Sequence, residues 1–298
     1  MPGKKNGPAI RKVGIVIKQK VTEANTLALE AAAYLKKRDV AVAFASESQD
    51  VCLLATGTTC ESKDELIRTC DLIVVFGGDG TFISIARLMA ERSVPILGVN
   101  MGQLGFLTEF KKTEVHGGLE AALAGKLQTS ERMMLECTLR RGDRTIVQIP
   151  VVNDVVITKG EIARIFDLEV SIDAKPVTTM KGDGLIIATP SGSTAYCLAA
   201  GGPILEPSVP AIAMVAICPH SLTLRPLILH DSSKITLIPQ FKGGRVILTL
   251  DGQASYEIEL GDTILVTRHE KHPLKILCSP QRDYFSLLRE KLKYGYRT

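Results

Sequence analysis

Apolar residues in this chain follow two rhythms, and the change between them falls near residue 130. Before that point, short apolar runs alternate with longer segments of helical spacing. Val13–Ile17 and Val40–Phe44 are apolar and rich in β-branched residues, which predicts strands. Thr22–Lys37, with Ala and Leu recurring every three or four positions, predicts a helix, and Ser62–Thr69 a shorter one. Leu72–Phe76 is a buried type of strand, too brief and too branched for a helix. Thr81 is placed to cap a helix over Phe82–Met89, where Phe82, Ile85, Ala86 and Met89 share one face. Pro95–Val99 predicts a further strand and Glu114–Leu127 a closing helix. Strand–helix alternation of this kind predicts a parallel sheet covered by helices.

From about Ser130 short strands dominate: Met134–Arg140, Thr145–Pro150, Asp154–Thr158, Phe166–Ile172 and Lys175–Thr179. Leu185–Ala188, Ala211–Cys218, Lys234–Pro239, Arg245–Asp251, Tyr256–Leu260 and Thr263–Arg268 continue the series. Arg141-Gly142-Asp143 and Asp173-Ala174 supply tight turns. Many short strands at regular spacing predict a β-sandwich or a similar all-β layer. Tyr284–Lys293, with Phe285, Leu288 and Leu292 on one side, predicts a terminal amphipathic helix. The fold class expected is therefore α/β followed by all-β.

At 298 residues the chain is long enough for two domains. A net charge of +4, spread along the sequence, and the lack of tryptophan give no case for a nucleic-acid surface. The longest apolar run, Ala211–Cys218, is far shorter than a membrane span. The polar start of the chain has no signal-peptide core, so a cytoplasmic location is expected. The seven scattered cysteines read as reduced thiols. His269 and His272 lack a pattern of further ligands and read as a solvated strand end, so no protein metal site is expected.

Candidate chemistry concentrates in three places. Gly77-Gly78-Asp79-Gly80-Thr81 follows the Leu72–Phe76 strand and sets one carboxylate among three glycines where a strand gives way to a helix. Ligands collect at the carboxyl ends of strands in open parallel sheets, and glycine lets backbone N–H groups approach a phosphate. The acid there can bind a metal or accept a proton. In the second half, Asn153 and Asp154 interrupt an otherwise apolar strand, Val151–Val156, and buried polar groups need partners. Lys181-Gly182-Asp183-Gly184 precedes a strand that ends in Thr189-Pro190-Ser191-Gly192-Ser193-Thr194-Ala195-Tyr196, a turn offering hydroxyls, N–H groups and a helix start at Ser193 or Thr194.

These blocks, together with Gly201-Gly202-Pro203-Ile204-Leu205, Pro219-His220-Ser221-Leu222-Thr223-Leu224-Arg225-Pro226 and Asp251-Gly252-Gln253, resemble the NAD kinase family in the family's own order over about residues 13–268. The resemblance implies a Rossmann-like domain over 1–127, joined by a C-terminal helix within 278–298, and a β-sandwich NAD-binding domain over 128–277, with the site in the crevice between them. It implies transfer of a phosphoryl group from ATP or polyphosphate, accompanied by Mg²⁺ or another divalent cation, to the 2′-hydroxyl of the adenosine ribose of NAD, giving NADP. Asp79 is then the proton acceptor, and Gly77, Gly78, Gly80 and Thr81 line the phosphates. Asn153 and Asp154 bind the adenine-side ribose or base, Asp183 the nicotinamide-side carboxamide or ribose, and Thr194, Ala195 and Tyr196 the dinucleotide. Arg164, Lys181 and Gln253 stand at further NAD-contacting positions. A homodimer or homotetramer is implied, with neither membrane nor nucleic acid as partner. Two residues depart from the usual pattern: Asp154 replaces a Glu one methylene longer, and Lys181 stands where many relatives carry Arg, so a point charge replaces a bidentate fork.

Overall fold

β1 (Lys12–Ile17) is buried at every position after Lys12, as its branched, uncharged sequence demands. The computed structural model, which describes residues 10–90, 92–160 and 165–293, continues with α1 (Thr22–Lys36), β2 (Ala41–Ala45), α2 (Gln49–Leu54), β3 (Thr59–Glu61) and α3 (Lys63–Thr69). Then come β4 (Leu72–Gly77), α4 (Asp79–Ala86), β5 (Ile96–Asn100), β6 (Phe110–Lys111), α5 (Val115–Leu123) and β7 (Thr129–Arg132). Helix α1 buries Ala24, Ala28, Ala31, Ala32 and Leu35, a narrow small-residue stripe that packs with Val13, Ile15, Val74 and Phe44. β1, β2, β4 and β5 pair in parallel, with Ile17 opposite Phe76 and Gly77 opposite Asn100. Their carboxyl ends therefore finish level, and the loops after β4 and β5 lie side by side.

The second unit is antiparallel throughout. Its strands are β8 (Leu135–Arg141), β9 (Arg144–Val151), β10 (Asp154–Lys159), β11 (Phe166–Ile172), β12 (Lys175–Gly182) and β13 (Gly184–Ala188), followed by the short helix α6 (Tyr196–Ala199). β14 (Ala211–Ile217), β15 (Leu227–His230), β16 (Ile235–Gln240), β17 (Val246–Leu250), β18 (Ala254–Ile258) and β19 (Asp262–Arg268) complete it. They form two six-stranded sheets, ordered β15-β14-β13-β10-β17-β18 and β12-β11-β16-β19-β8-β9. Val155, Ile157, Leu185 and Ile187 of the first share one core with Leu139, Leu168, Leu237 and Ile264 of the second, which makes the expected sandwich. Burial alternates residue by residue along β16, β17 and β19. The β11–β12 hairpin turns on Asp173 and Ala174, both with positive φ (51° and 61°), as a two-residue turn matched to strand twist requires.

The chain then returns. β20 (Leu274–Leu277) pairs in parallel with β5, and the first sheet runs β3-β2-β1-β4-β5-β20-β7, with β6 on β5. The chain accordingly divides at Glu131/Arg132 and Pro273/Leu274. Segments 128–131 and 274–277, expected in the second domain, belong to the first, because β20 supplies the backbone partner that β7 needs. Helix α7 (Tyr284–Leu292), capped by Asp283 and Ser286, also joins the first unit. Arg282 pairs with Glu114 at 2.7 Å, both nearly buried. Burial alone pushes the Glu114 carboxyl up, but the Arg282 guanidinium outweighs it and the net shift is downward. No helix among the described residues is long and apolar enough to cross a membrane. All seven cysteines are free. Burial raises the thiols of Cys70 and Cys197 to about 11 and that of Cys137 to about 12. His269 is buried rather than solvated, with its ring nitrogen 3.3 Å from Glu136.

Asn153 and Asp154 do not sit within one strand. Val152 and Asn153 form a bend between β9 and β10, and the N–H groups that a ladder would have used go to one carboxylate. Asp251 accepts from Val152, Asn153 and Asp154 N–H at 3.0, 2.6 and 3.2 Å, while its own N–H donates to the Asp154 carbonyl. Asp251 adopts φ 55°, a left-handed conformation that Asp tolerates better than most residues. The cost of this knot falls on Asp154, which is almost fully buried. Burial, and then the neighbouring Asp251 charge, raise its carboxyl from the ordinary 3.8 to about 7.

The folded chain therefore holds a proton that the unfolded chain releases between about pH 4 and pH 7, so this group's contribution to stability falls as pH rises through that window. Urea unfolding at pH 4.5 and pH 8 should show Asp154→Asn gaining about 2–4 kcal/mol on the parent across the interval. A difference independent of pH would contradict the shift.

Candidate active site

The β4–α4 junction builds the first cluster. Gly78 is extended (φ −112°, ψ −172°), so α4 starts at Asp79, three residues before the predicted start at Phe82. Thr81 is not the cap. It lies in the first turn with its side chain over Gly77, where a Cβ would come within 2.5 Å of the hydroxyl. At Gly78 and Gly80 an added Cβ would meet nothing within 4 Å, so the protein's own packing does not demand glycine at either position.

Asp79 is held by a segment that sequence reasoning passed over. After β5 the chain runs Asn100-Met101-Gly102-Gln103-Leu104-Gly105-Phe106-Leu107-Thr108 and folds back over α4. Phe106 N–H donates to Asp79 Oδ2 at 2.8 Å. Leu107 N–H, Thr108 N–H and the Thr108 hydroxyl donate to Oδ1 at 3.1, 3.2 and 3.1 Å. Asn100 steadies the arrangement by donating to the Thr108 hydroxyl at 2.8 Å and accepting from Gly102 N–H at 2.7 Å. A Cβ on Gly105 would lie 1.9 Å from Asp79 Oδ1, and one on Gly98 would lie 2.9 Å from Thr108 Cα. Both glycines therefore keep the loop against the carboxylate. The signal in the sequence was the glycine pair Gly102 and Gly105 directly after a buried strand, beside the glycine-rich turn already singled out.

On the other side of α4, at the ends of β1 and β2, lies a cavity of about 320 Å³. Gly80, Thr81 and Ser84 of α4 face Lys18, Glu47 and Lys63 across it. Lys63 bonds Ser84 Oγ at 3.2 Å and pairs with Glu47 at 3.1 Å. Lys18 is exposed.

In the second unit the turn after β13 docks on the β9–β10 bend. Thr189 donates its hydroxyl to the Val152 carbonyl and its N–H to the Asn153 carbonyl, at 2.7 and 2.9 Å. Gly192 passes so close that a Cβ would lie 2.0 Å from that same Asn153 carbonyl. The hydroxyls of Thr189 and Ser193 are consumed internally, with Ser193 bonding Pro190 and Leu205. A short 3-10 turn over Gly192–Thr194 and α6 replace the expected helix start. The result brings Asn153, Asp154, Thr194, Ala195 and Tyr196 together. Tyr196 is 45% exposed, and Asn153 Oδ1 is shielded from solvent without a partner. Gln253 follows on the turn that begins at Asp251.

Two predicted residues stand apart from this group. Asp183 links the two sheets between β12 and β13 and pairs with Lys159 at 2.7 Å, at the opposite end of β10 from Asp154. The separation is about 17 Å by strand rise. Lys181 is exposed on β12 beside it. Arg164 lies outside the described residues. Among the described residues, no three His, Cys, Asp or Glu side chains converge as a metal cage. Asp79 Oδ2 carries one N–H bond, which leaves it free to meet a cation brought by a ligand's own phosphates.

Residues 13–127 match the ATP-NAD kinase N-terminal domain, and residues 152–277 the C-terminal domain. NAD kinase of Geotalea daltonii is 49% identical over 235 residues, 79% of this chain and 82% of the relative. NAD kinase of Syntrophotalea carbinolica is 43% identical over 291 residues, 97% of this chain and all of the relative. The crystal structure of yeast NADH kinase complexed with NADH superimposes with a TM-score of 0.91 at 27% identity, covering 98% of this chain and 90% of that one. A chain that carries both domains in order, at this identity and over this length, belongs to the ATP-NAD kinase family of phosphotransferases.

Proposed function

We propose that the chain transfers the terminal phosphoryl group of ATP to the 2′-hydroxyl of the adenosine ribose of NAD, giving NADP, and that Asp79 accepts the hydroxyl proton. The observation that carries the reading is the hold on Asp79. Four donors from one loop fix its carboxylate at the mouth of a parallel sheet, with Oδ2 the less engaged oxygen. A ribose hydroxyl is a poor nucleophile, and phosphoryl transfer depends on positioning, charge neutralisation and a base within hydrogen-bond reach. The new bond joins the ribose oxygen to phosphorus, the bond to ADP breaks, and the proton leaves to Asp79.

The donor's phosphates fit the cavity beside α4. Lys18, Lys63 and the N-terminal turn of α4 supply positive potential there, and the open space at Gly78 and Gly80 admits phosphate oxygens. A divalent cation bound to the phosphates, with Asp79 as the protein oxygen in reach, would neutralise charge during transfer. Asn153, with its unpartnered Oδ1, and Asp154, Ala195 and Thr194 take the adenosine, and exposed Tyr196 offers a ring to stack on it. Asp183 and Lys181, one strand length away, suit the far end of an extended dinucleotide; Gln253 and Arg164 complete the assignment. A cytoplasmic homodimer or homotetramer is the form we infer, supported by Leu227 and Ile228, which stand exposed on edge strand β15.

A coupled assay with ATP, Mg²⁺ and NAD tests the reading. Asp79→Asn should lower turnover roughly 10²–10⁴-fold with the Kd for NAD little changed; near-parental turnover would remove Asp79 from the mechanism. Gly105→Ala, which drives a methyl into the carboxylate, should cost on the order of 10²-fold in kcat with only a small drop in Tm. Lys18→Met should raise KM for ATP about tenfold, the worth of one charge-assisted hydrogen bond, with KM for NAD unchanged. An unaltered ATP KM would place the donor elsewhere.

A further inference from the structure

A second concavity of the first unit shares Asn100 and Gly102 with the loop that holds Asp79 but shares no residue with the donor cavity. It has a volume of about 600 Å³ and lies between the loop after β5, the end of β6 and the last turn of α7. Four lysines from two distant stretches of sequence line it, Lys111 and Lys112 beside β6 and Lys291 and Lys293 at the end of α7, against one carboxylate, Glu290. Gln103 and Thr113 add neutral donors to the rim. Lys111 lies 3.5 Å from Glu290, and Lys112 pairs with Glu23 at 2.5 Å. Lys293 ends α7 in the left-handed conformation (φ 51°). Lys291 holds its ammonium over the Phe106 ring, 4.5 Å from the centroid.

Four ammonium charges at this concavity exceed the two carboxylates that meet them, Glu290 and Glu23, and the negative end of the α7 dipole offsets the excess only in part. A chain of phosphates matches the pattern, because it spreads several negative charges along a length that compact lysine point charges can meet one by one. We propose that this basin binds a linear oligophosphate of at least three phosphoryl groups, and that its occupancy reaches the active site through Lys291 and Phe106. The path is short. An anion that draws the Lys291 ammonium off the ring acts on the residue whose N–H is bonded to Asp79 Oδ2 at 2.8 Å. The site goes beyond the phosphoryl-transfer reading and stands or falls without it, since none of its lysines belongs to the donor cavity.

The experiment titrates the full chain with sodium tripolyphosphate by calorimetry at low salt, in a Lys18→Met background so that binding at the donor cavity is weakened. The double substitution Lys112→Gln/Lys293→Gln, at exposed or half-exposed positions, should weaken binding at least tenfold and leave Tm unchanged. Orthophosphate should bind at least tenfold more weakly than tripolyphosphate. Amide hydrogen exchange at Phe106, Leu107 and Thr108 should change on tripolyphosphate addition, and stay unchanged in the double variant. ATP used in place of tripolyphosphate should bind within threefold of it if the phosphate chain is what is read. Equal tripolyphosphate affinity in the double variant, equal affinity for orthophosphate, or binding of ATP alone would overturn the site. Binding that leaves the three amides unmoved would overturn the link to Asp79.

Discussion

Backbone N–H groups converging on one carboxylate organise this protein twice. At Asp79 the donors come from a loop 27 to 29 residues later, and at Asp251 from a bend nearly 100 residues earlier. In each case consecutive N–H groups left without a ladder partner are gathered by a side chain that accepts several at once, and charge-assisted bonds of this kind are about twice as strong as neutral ones. A loop after a strand has no such order of its own. Remove either carboxylate and a run of donors loses its partner together, which is why each junction depends on a single acid.

The two knots differ in what they leave over. Asp79 keeps an oxygen with a single bond at an accessible surface, so it can orient a loop and still meet a ligand. Asp251 spends its bonds within the sandwich and thereby buries its neighbour. Asp154 is drawn into a place where its charge is costly, and the side chain that resembles a ligand-binding acid is the one that burial keeps protonated to about pH 7. The tight passage of Gly192 over the Asn153 carbonyl extends that bend into the turn carrying Thr194, Ala195 and Tyr196. Position in the second unit is thus relayed from one acid through two loops.

Much of this was legible in the residues. Buried strands β1, β4 and β5 announce themselves by short, largely apolar runs, the sandwich by its alternation, and the glycine-flanked acid by its place after β4. What could not be read were relations between distant positions. Nothing local to Asp79 says that Phe106 will donate to it, and the worth of Asn100 and Thr108 is apparent only once both are buried. Asn153 and Asp154 looked like part of a strand because the acid that bends them away lies on β17's exit. Thr81 resembles a cap, but an extended Gly78 starts α4 three residues sooner. Strands β7 and β20 went to the wrong domain for the same reason, since their sequences pair only with each other and with β5.

That last arrangement has a consequence for synthesis. The whole second unit is inserted between β7 and its sheet neighbour β20. As the nascent polypeptide leaves the ribosome, β7 must wait for about 140 further residues before its hydrogen-bonding partner exists. At ordinary translation speeds that interval is roughly 7–30 s, long compared with strand pairing. Its polar sequence, Thr-Ser-Glu-Arg, keeps this idle edge from recruiting another chain in the meantime.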